Sequence, residues 1–206
     1  MPSLRQVLGA HAPLLLIDAA SARIQVGWWE GGWEPRWTSS EAEAGVGIFQ
    51  CLEELGADPA RARGLAFCSG PGSILGIRTA AMALRAWRSG SPAPAFGYSS
   101  LALAAHGAPP AASLIADARR GAWHLLRPGE PLRRVPAAEL SGDLAMPAGF
   151  RHWSPLPAGT ASVSYELPAL WAKAADADLL LPTEEPDAFL HAEPAYALWS
   201  AQPHHG

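Results

Sequence analysis

Residues 64–78 read GLAFCSGPGSILGIR, and this stretch changes from a strand pattern to a helix pattern through a glycine-rich bend. Gly64–Cys68 is a short apolar run typical of a buried strand, and Ile74–Ser89 has helical spacing that ends at Gly90. The bend at Ser69–Ser73 places backbone amides at the positive end of a helix dipole, where an anion can bind. A tight turn is the commoner origin of such a bend. It is not a Walker A loop, because no Lys-Ser/Thr pair follows, and its glycines do not have the G-x-G-x-x-G spacing.

The helix predicted over residues 74–89 contains few polar side chains. Three arginines, Arg78, Arg85 and Arg88, fall on one narrow stripe. A helix with so little polar surface is expected to be largely enclosed by its own fold. The apolar residues that cover much of the rest are Leu75, Ile77, Ala80, Ala81, Leu84 and Trp87.

The segment before this bend predicts a strand meander. Leu14–Asp18 is a continuous apolar run, as expected of a central strand buried on both faces. Residues 23–28 alternate apolar and polar, which predicts a strand with one core face. Residues 33–38 could return as a third strand, which Pro35 would hold to the sheet edge. The order of meander, helix, strand and helix excludes a simple doubly wound fold.

The helix between the meander and residue 64 has two apolar stripes. Ser40–Glu43 matches a capping box at its start, and Gly56 is suited to its end. A surface helix needs only one apolar stripe, so the second either meets a partner chain or is buried within its own lobe. Gly45 and Gly47 would permit close approach of a partner helix. The first stripe is Ala44, Ile48, Cys51, Leu52 and Leu55, and the second is Ala42, Gly45, Val46 and Phe49.

Downstream of the second helix the predicted elements are short. Residues 92–97 lead into a strand, and Ser99 or Ser100 could cap a helix that runs to His106. The double proline at 109–110 predicts a lobe boundary, so that the N-terminal lobe is 1–108 and a smaller C-terminal lobe is 109–206.

The C-terminal lobe begins with a predicted hairpin. Strands at Ser113–Asp117 and Ala122–Leu126 flank a short loop that contains Gly121. Residues 128–159 show only short apolar pieces among prolines, and Leu167–Ala175 suits a helix with Pro168 in its first turn.

Composition limits the class of protein. The 206 residues are 49% apolar and 17% charged, which is enough apolar sequence for a sizeable core. A net charge of −4 argues against strong unaided binding of nucleic acid. Cys51 and Cys68 do not form a disulfide framework, and the apolar run at 12–17 is too short for a signal peptide or a membrane span. We therefore expect a cytoplasmic protein with no membrane association.

Sequence motifs for catalysis are scarce. Asp18–Ser21 follows the first strand, where an acid can coordinate a metal–nucleotide complex, although an aspartate there more often forms a turn or a cap. The seven histidines include no H-E-x-x-H pair, and no G-x-S-x-G is present. We therefore predict no metal site and no catalytic residue.

Five segments, taken in order, resemble the TsaB (YeaZ-type) family of bacterial tRNA threonylcarbamoyladenosine biosynthesis proteins. The most specific is 70–78, where the family pattern is GPGS, an aromatic residue, Thr, Gly, an aliphatic residue and Arg. The resemblance spans nearly the whole chain, densely over 14–125 and thinly over 128–190. The segments are LLIDAAS at 15–21, GPGSILGIR at 70–78, GYSSL at 97–101, IADARRG at 115–121 and HAEPAY at 191–196.

This resemblance implies an α/β fold of the actin-like, Hsp70-like, sugar-kinase ATPase (ribonuclease H-like) type with a reduced C-terminal lobe. It also implies a non-catalytic scaffold subunit. Such proteins pair with a metal-containing paralogue, TsaD, which transfers a threonylcarbamoyl group to adenosine in tRNA, and an ATPase subunit, TsaE, completes the set. The family pairs through its first two helices, here near 41–55 and 74–89. The implied interface residues are Ala42, Gly45, Val46, Phe49, Arg78 and Arg85.

The chain departs from the family where nucleotide chemistry would reside. Ala19 and Ala20 follow Asp18 in place of the usual hydroxyl residues, and Ile74-Leu75 replaces an aromatic-Thr pair. We therefore expect a diverged member without independent ATP hydrolysis or a tightly bound cofactor, although ATP or ADP at a partner interface stays open. The expected vestigial phosphate loops comprise Asp18, Ser21, Gly70, Gly72 and Ser73.

Three hypotheses follow. The first is the scaffold subunit, which could also form a homodimer through the same helices and would contact tRNA only indirectly. The second is a small ATPase or phosphotransferase that uses Asp18 and the 70–73 loop. The third, a peptidase, lacks a nucleophile or metal constellation in the sequence. Direct tRNA contacts through Arg119, Arg120, Arg133 and Arg134 are a weaker interpretation than solvated surface charge.

Overall fold

A computed structural model describes residues 1–90 and 93–188. The HAEPAY segment at 191–196 lies outside these residues. The helices are α1 Leu4–His11, α2 Ala44–Leu55, α3 Ile74–Arg88, α4 Ser100–Ala105 and α5 Leu167–Ala174. The strands are β1 Leu14–Asp18, β2 Ile24–Trp29, β3 Arg36–Ser40, β4 Gly64–Gly70, β5 Ala95–Ser99, β6 Ser113–Asp117, β7 Ala122–Leu126, β8 Arg133–Pro136, β9 Leu144–Pro147, β10 Ala161–Val163 and β11 Leu181–Thr183.

The first sheet has the strand order β11-β5-β4-β1-β2-β3. Strands β1, β2 and β3 form the antiparallel meander predicted from the sequence, and β4 joins β1 in parallel after α2. β3 begins directly after Pro35 and lies at the sheet edge, as that proline predicts. The order of meander, helix, strand and helix is therefore confirmed.

The prediction of a single core face for β2 is wrong, because all six of its residues are buried. Ile24 lies against Gly47 of α2 on one face of the sheet. On the opposite face, Gln25 Nε2 donates to the Tyr165 carbonyl (2.8 Å), and Gln25 Oε1 accepts from the Leu167 amide (2.9 Å). The alternating pattern did not predict burial of this second face, because a glutamine can be buried when backbone groups make its hydrogen bonds.

The second sheet has the strand order β10-β9-β6-β7-β8, and all its strands follow residue 109. The β6–β7 hairpin is confirmed. Strands β8 and β9 lie in the 128–159 region that showed only short apolar pieces, and each is four residues long. Strand β11 returns to the first sheet beside β5, so that sheet draws on both predicted lobes. The boundary at residues 108/109 stays a prediction.

A capping box is present, but at α1 rather than at residues 40–43. Ser3 Oγ accepts from the Gln6 amide (3.2 Å), and Gln6 Oε1 accepts from the Ser3 amide (2.9 Å). At the second helix the prediction is wrong, because Ser40 is the last residue of β3. Its hydroxyl accepts from the Ala42 amide (3.1 Å) and closes the turn between strand and helix. α2 begins at Ala44 and ends, as predicted, at Gly56 with φ of 57°.

Two observations bear on the classes of protein considered above. No helix in residues 1–90 and 93–188 combines the length and apolarity that crossing a bilayer requires. The same residues hold no group of three His, Cys, Asp or Glu side chains arranged for a metal ion.

Candidate functional site

Asp18, which the sequence singled out as a possible ligand of a metal–nucleotide complex, ends β1 and is fully buried. Its Oδ1 accepts from the Ala20 amide (2.8 Å), and its Oδ2 accepts from the hydroxyls of Tyr98 (2.6 Å) and Tyr165 (2.7 Å). Burial raises the pKa of Asp18, and these hydrogen bonds oppose that rise only in part. Both oxygens are therefore engaged by the chain's own groups.

Ser21, in the same loop, is turned to its own backbone. Its Oγ donates to the Arg23 carbonyl (2.7 Å) and accepts from the Arg23 amide (3.2 Å). The residue lines a cleft of about 410 Å³ between the starts of α2 and α3. The charged residues of that lining, within the described chain, are Glu41, Glu43 and Arg151. Two carboxylates and one guanidinium make a poor electrostatic match for a polyphosphate.

The glycine-rich loop packs directly against the first loop. The Ser73 amide donates to the Ala20 carbonyl (2.8 Å), and Ser73 Oγ caps α3 by accepting from the Gly76 amide (3.3 Å). A Cβ atom on Gly72 would lie 2.5 Å from the Ala20 carbonyl oxygen. Gly70, at φ of 121°, turns the chain into this position. The amides of Ser73 and Gly76 at this helix start are thus bonded within the chain.

The site residue that the sequence did not single out is Asp117, at the end of β6. Its Oδ1 accepts from the Arg119 amide (2.5 Å), and its Oδ2 accepts from the amides of Trp153 (2.7 Å) and Ser154 (2.7 Å). Desolvation alone would raise the pKa of Asp117, but the three backbone donors outweigh it and hold the pKa below its ordinary value. An acid at the end of a buried strand, followed by a turn, is the only local sign of this role.

Replacing Asp117 with asparagine should make the free energy of unfolding less dependent on pH in the acid range. A carboxyl with a lowered folded-state pKa contributes stability above its unfolded pKa, near 4, and loses it as the pH falls through the folded value. Asp117→Asn should therefore lower the free energy of unfolding by about 1–3 kcal/mol at pH 7 and by progressively less below pH 4. Urea unfolding of wild type and Asp117→Asn between pH 7 and pH 3 measures this difference in the free energy of unfolding. Asp18, whose pKa is shifted in the opposite direction, contributes equally to both proteins and cancels in the difference.

The control for this change is Asp143→Asn, which removes one carboxylate from an exposed position. It should leave the pH profile close to wild type. Parallel profiles for wild type and Asp117→Asn would contradict the assignment of Asp117 as the anchor of both loops.

Two of the predicted partner-binding residues, Val46 and Phe49, belong to an exposed apolar surface on α2 and α3. We define the helix face as Val46, Phe49, Leu75 and Met82, whose exposed fractions are 54%, 55%, 78% and 67%. The helices lie side by side, since the ring of Phe49 contacts that of Trp87 with centroids 6.5 Å apart. The prediction that α3 is largely enclosed is therefore wrong.

The other predicted interface residues lie around this face. Gly45 is exposed on α2, and Arg78 and Arg85 are exposed on α3, where an Arg85 nitrogen lies 3.4 Å from Asp187. Ala42 precedes α2 and is half-buried in the lining of the 410 Å³ cleft. Gly47 does not meet a partner, because it is buried against β2 and β3 of its own sheet.

α3 packs against the sheet through a side that is rich in small residues. A leucine and a methionine lie on the opposite side of the helix and are exposed. Gly76, Ala80 and Ala81 are buried together with Ile77 and Leu84. These residues occupy one side of the helix, so Leu75 and Met82, seven positions apart, both point away from the sheet. The sequence could not distinguish which apolar residues face inward.

The comparisons with known proteins establish the fold. No protein-family model matches the chain, and no curated protein does. Among solved structures, YeaZ from Pseudomonas aeruginosa matches with a TM-score of 0.60 at 16% identity, over 86% of this chain and 99% of that one. A second structure, described as an uncharacterized protein with similarity to peptidase YEAZ from Pseudomonas aeruginosa, matches with a TM-score of 0.58 at 16% identity, over 87% and 99% of the two chains. The chain has the actin-like, ribonuclease H-like α/β fold expected from its sequence.

Proposed function

We propose that this chain is a diverged TsaB-type (YeaZ-type) protein, a non-catalytic subunit that docks a TsaD-type transferase during formation of threonylcarbamoyladenosine in tRNA. The observation that carries the proposal is the exposed helix face on α2 and α3. The shared fold at 16% identity, together with the five ordered sequence segments, is what a diverged member would show.

The energetics of the helix face favour a protein partner. Fully burying an exposed valine, leucine, phenylalanine or methionine side chain contributes about 1.5–3 kcal/mol. The four residues are 54–78% exposed, so together they offer roughly 4–8 kcal/mol. Exposed apolar patches with a polar rim mark interaction sites in soluble proteins, and Arg78 and Arg85 supply such a rim. Association itself costs about 4–15 kcal/mol, so a stable complex needs contacts beyond these four residues.

The closed loops support a subunit without its own nucleotide chemistry. Both oxygens of Asp18 and the amide of Ser73 are bonded within the chain. In this proposal ATP or ADP binds only at the interface with the partner, and a TsaE-type ATPase completes the assembly. The partner supplies the transfer chemistry, and the complex acts in the cytoplasm.

A second candidate function is a small ATPase or phosphotransferase. It is favoured by the position of the cleft of about 410 Å³ beside the start of α3, while Glu41 and Glu43 in the lining of that cleft oppose a polyphosphate. Calorimetry of the isolated chain with ATP and magnesium distinguishes the two proposals. Micromolar binding would favour the enzyme, and heats equal to dilution would favour the subunit.

Mixing the purified chain with the TsaD-type paralogue of its own host tests the proposed function. We expect size-exclusion chromatography with light scattering to show a complex that contains both chains. A homodimer of this chain alone does not decide the question, because the same helix face could bury itself. A chain whose mass is unchanged by the paralogue, with and without ATP, would contradict the proposal.

A further inference from the structure

The turn between β6 and β7 carries two arginines in a backbone conformation that arginine seldom adopts. Arg119 has φ of 61° and Arg120 has φ of 54°, both in the left-handed region. The third residue of this three-residue loop, Gly121, is also left-handed, at φ of 70°, and such positions ordinarily take glycine or asparagine, which tolerate positive φ. The chain therefore holds two guanidinium groups at a position where the turn geometry disfavours them.

This turn is fixed in place by groups around it. Asp117 accepts hydrogen bonds from the amide of Arg119 in the turn and from those of Trp153 and Ser154 in the facing loop. The Arg119 guanidinium lies 3.9 Å from the centroid of the Trp153 ring. An Nη2 atom of Arg134, from β8, reaches the carbonyls of Ala118 (3.4 Å) and Arg119 (3.3 Å).

One guanidinium, that of Arg119, therefore stacks on an indole that is itself 55% exposed, while Arg120 is exposed in the same turn and Arg134 binds the turn's carbonyls. Asp117 forms no ion pair with these three arginines, because its two oxygens accept from backbone amides. Arg133, the neighbour of Arg134, is excluded from the group because its guanidinium lies 3.5 Å from Glu130. We define the arginine–tryptophan corner as Arg119, Arg120, Arg134 and Trp153.

We propose that the arginine–tryptophan corner binds single-stranded RNA. Guanidinium groups bind phosphate oxygens, and an exposed aromatic ring or the flat face of a stacked arginine receives an unpaired base. An acidic protein partner would use the charges but has no need of the stacking ring, so the pairing of Arg119 with Trp153 favours RNA. The net charge of −4 makes this a local contact and not a general affinity for nucleic acid.

This inference goes beyond the proposed subunit role and does not depend on it. The corner lies on the second sheet, whereas the helix face lies on α2 and α3, which pack against the first sheet. The isolated chain is therefore sufficient to test it, and a failure here leaves docking of the TsaD-type partner untouched.

The test replaces Arg119 and Arg120 with asparagine and glycine, which tolerate the left-handed φ of these two positions. The variant Arg119→Asn/Arg120→Gly should melt at a higher temperature than wild type, because it relieves both left-handed arginines. It should nevertheless bind RNA about tenfold or more weakly at 0.1 M salt. The probe is a fluorescein-labelled 12-nucleotide single-stranded RNA of mixed sequence, followed by fluorescence anisotropy.

Salt dependence and stacking give independent readouts. Three phosphate contacts predict a slope of about −2 for log K against log salt on single strands, and loss of two contacts predicts about −0.7. Trp153→Ala should weaken binding roughly 5- to 150-fold and leave the slope unchanged. The control Arg61→Gln/Arg63→Gln removes two exposed charges elsewhere and should bind as wild type.

Two results would overturn the proposal. One is equal RNA affinity for wild type and Arg119→Asn/Arg120→Gly. The other is binding of labelled polyglutamate as tight as that of RNA, with no effect of Trp153→Ala, which would identify the corner as a site for acidic protein.

Discussion

The double variant Phe49→Glu/Leu75→Glu should remain folded and lose at least about 100-fold in affinity for a TsaD-type partner. Both side chains are exposed, at 55% and 78%, so the free chain accommodates carboxylates at these positions in water. At an interface the same carboxylates are desolvated without a cation, which costs several kcal/mol per ion. A loss of about 2.7 kcal/mol corresponds to 100-fold in the dissociation constant. Surface plasmon resonance with immobilised partner measures the change.

The matched control carries two glutamates at exposed leucines away from the helix face. Leu156→Glu/Leu181→Glu alters residues that are 39% and 57% exposed, so it adds the same charge to the chain. It should bind the partner as wild type does. Equal affinity of Phe49→Glu/Leu75→Glu and wild type, with matching thermal unfolding, would show that the helix face is not the docking surface. A homodimer of the isolated chain that uses this face should likewise be weakened by Phe49→Glu/Leu75→Glu and unchanged by Leu156→Glu/Leu181→Glu.

Much of the first sheet could be predicted because its signals are local. The apolar run at Leu14–Asp18, the proline before β3 and the glycine after α2 each act within a few residues. Strands β10 and β11 gave no such signal, because a strand of three residues is too short to show a period.

The exposure of α3 shows where periodicity stops being informative. The sequence placed Leu75 and Ile77 together among apolar residues that should be covered, yet the first is 78% exposed and the second 2%. Periodicity locates stripes on a helix, but the sheet against which the helix packs decides which stripe is buried. The helix was therefore predicted correctly, and the side of it that is exposed was not.

The candidate site depends on contacts that no local pattern carries. The carboxylate of Asp18 is bonded to tyrosines 80 and 147 positions further along the chain. Similarly, Asp117 is bonded to the amides of residues 36 and 37 positions away. The sequence identified the loops at 18–21 and 69–73 as candidate phosphate sites but did not single out Asp117, and only the tertiary packing shows that Asp18 and the Ser73 amide already have partners.

Replacing Gly76 with alanine should destabilise the chain by about 3 kcal/mol, although alanine is intrinsically the better helix former. A Cβ atom at Gly76 would lie 2.1 Å from the carbonyl oxygen of Ala19, which is a backbone atom with little freedom to move. The first loop is held there by the Asp18 bond to the Ala20 amide and by the Ser73 amide on the Ala20 carbonyl. The substitution must therefore displace α3 from the sheet or break those bonds.

Gly45→Ala is the internal control for this prediction. Gly45 lies in α2 with no atom near the position of an added Cβ, so alanine there should stabilise the chain by about 0.5–1 kcal/mol. Chemical denaturation of both variants measures the contrast between the two glycines. A Gly76→Ala variant as stable as wild type would mean that the first loop yields easily, and a loop that yields could open its amides to a nucleotide. Strong destabilisation would instead show that Gly76 is needed for α3 to pack on the first loop, as the proposed non-catalytic subunit requires.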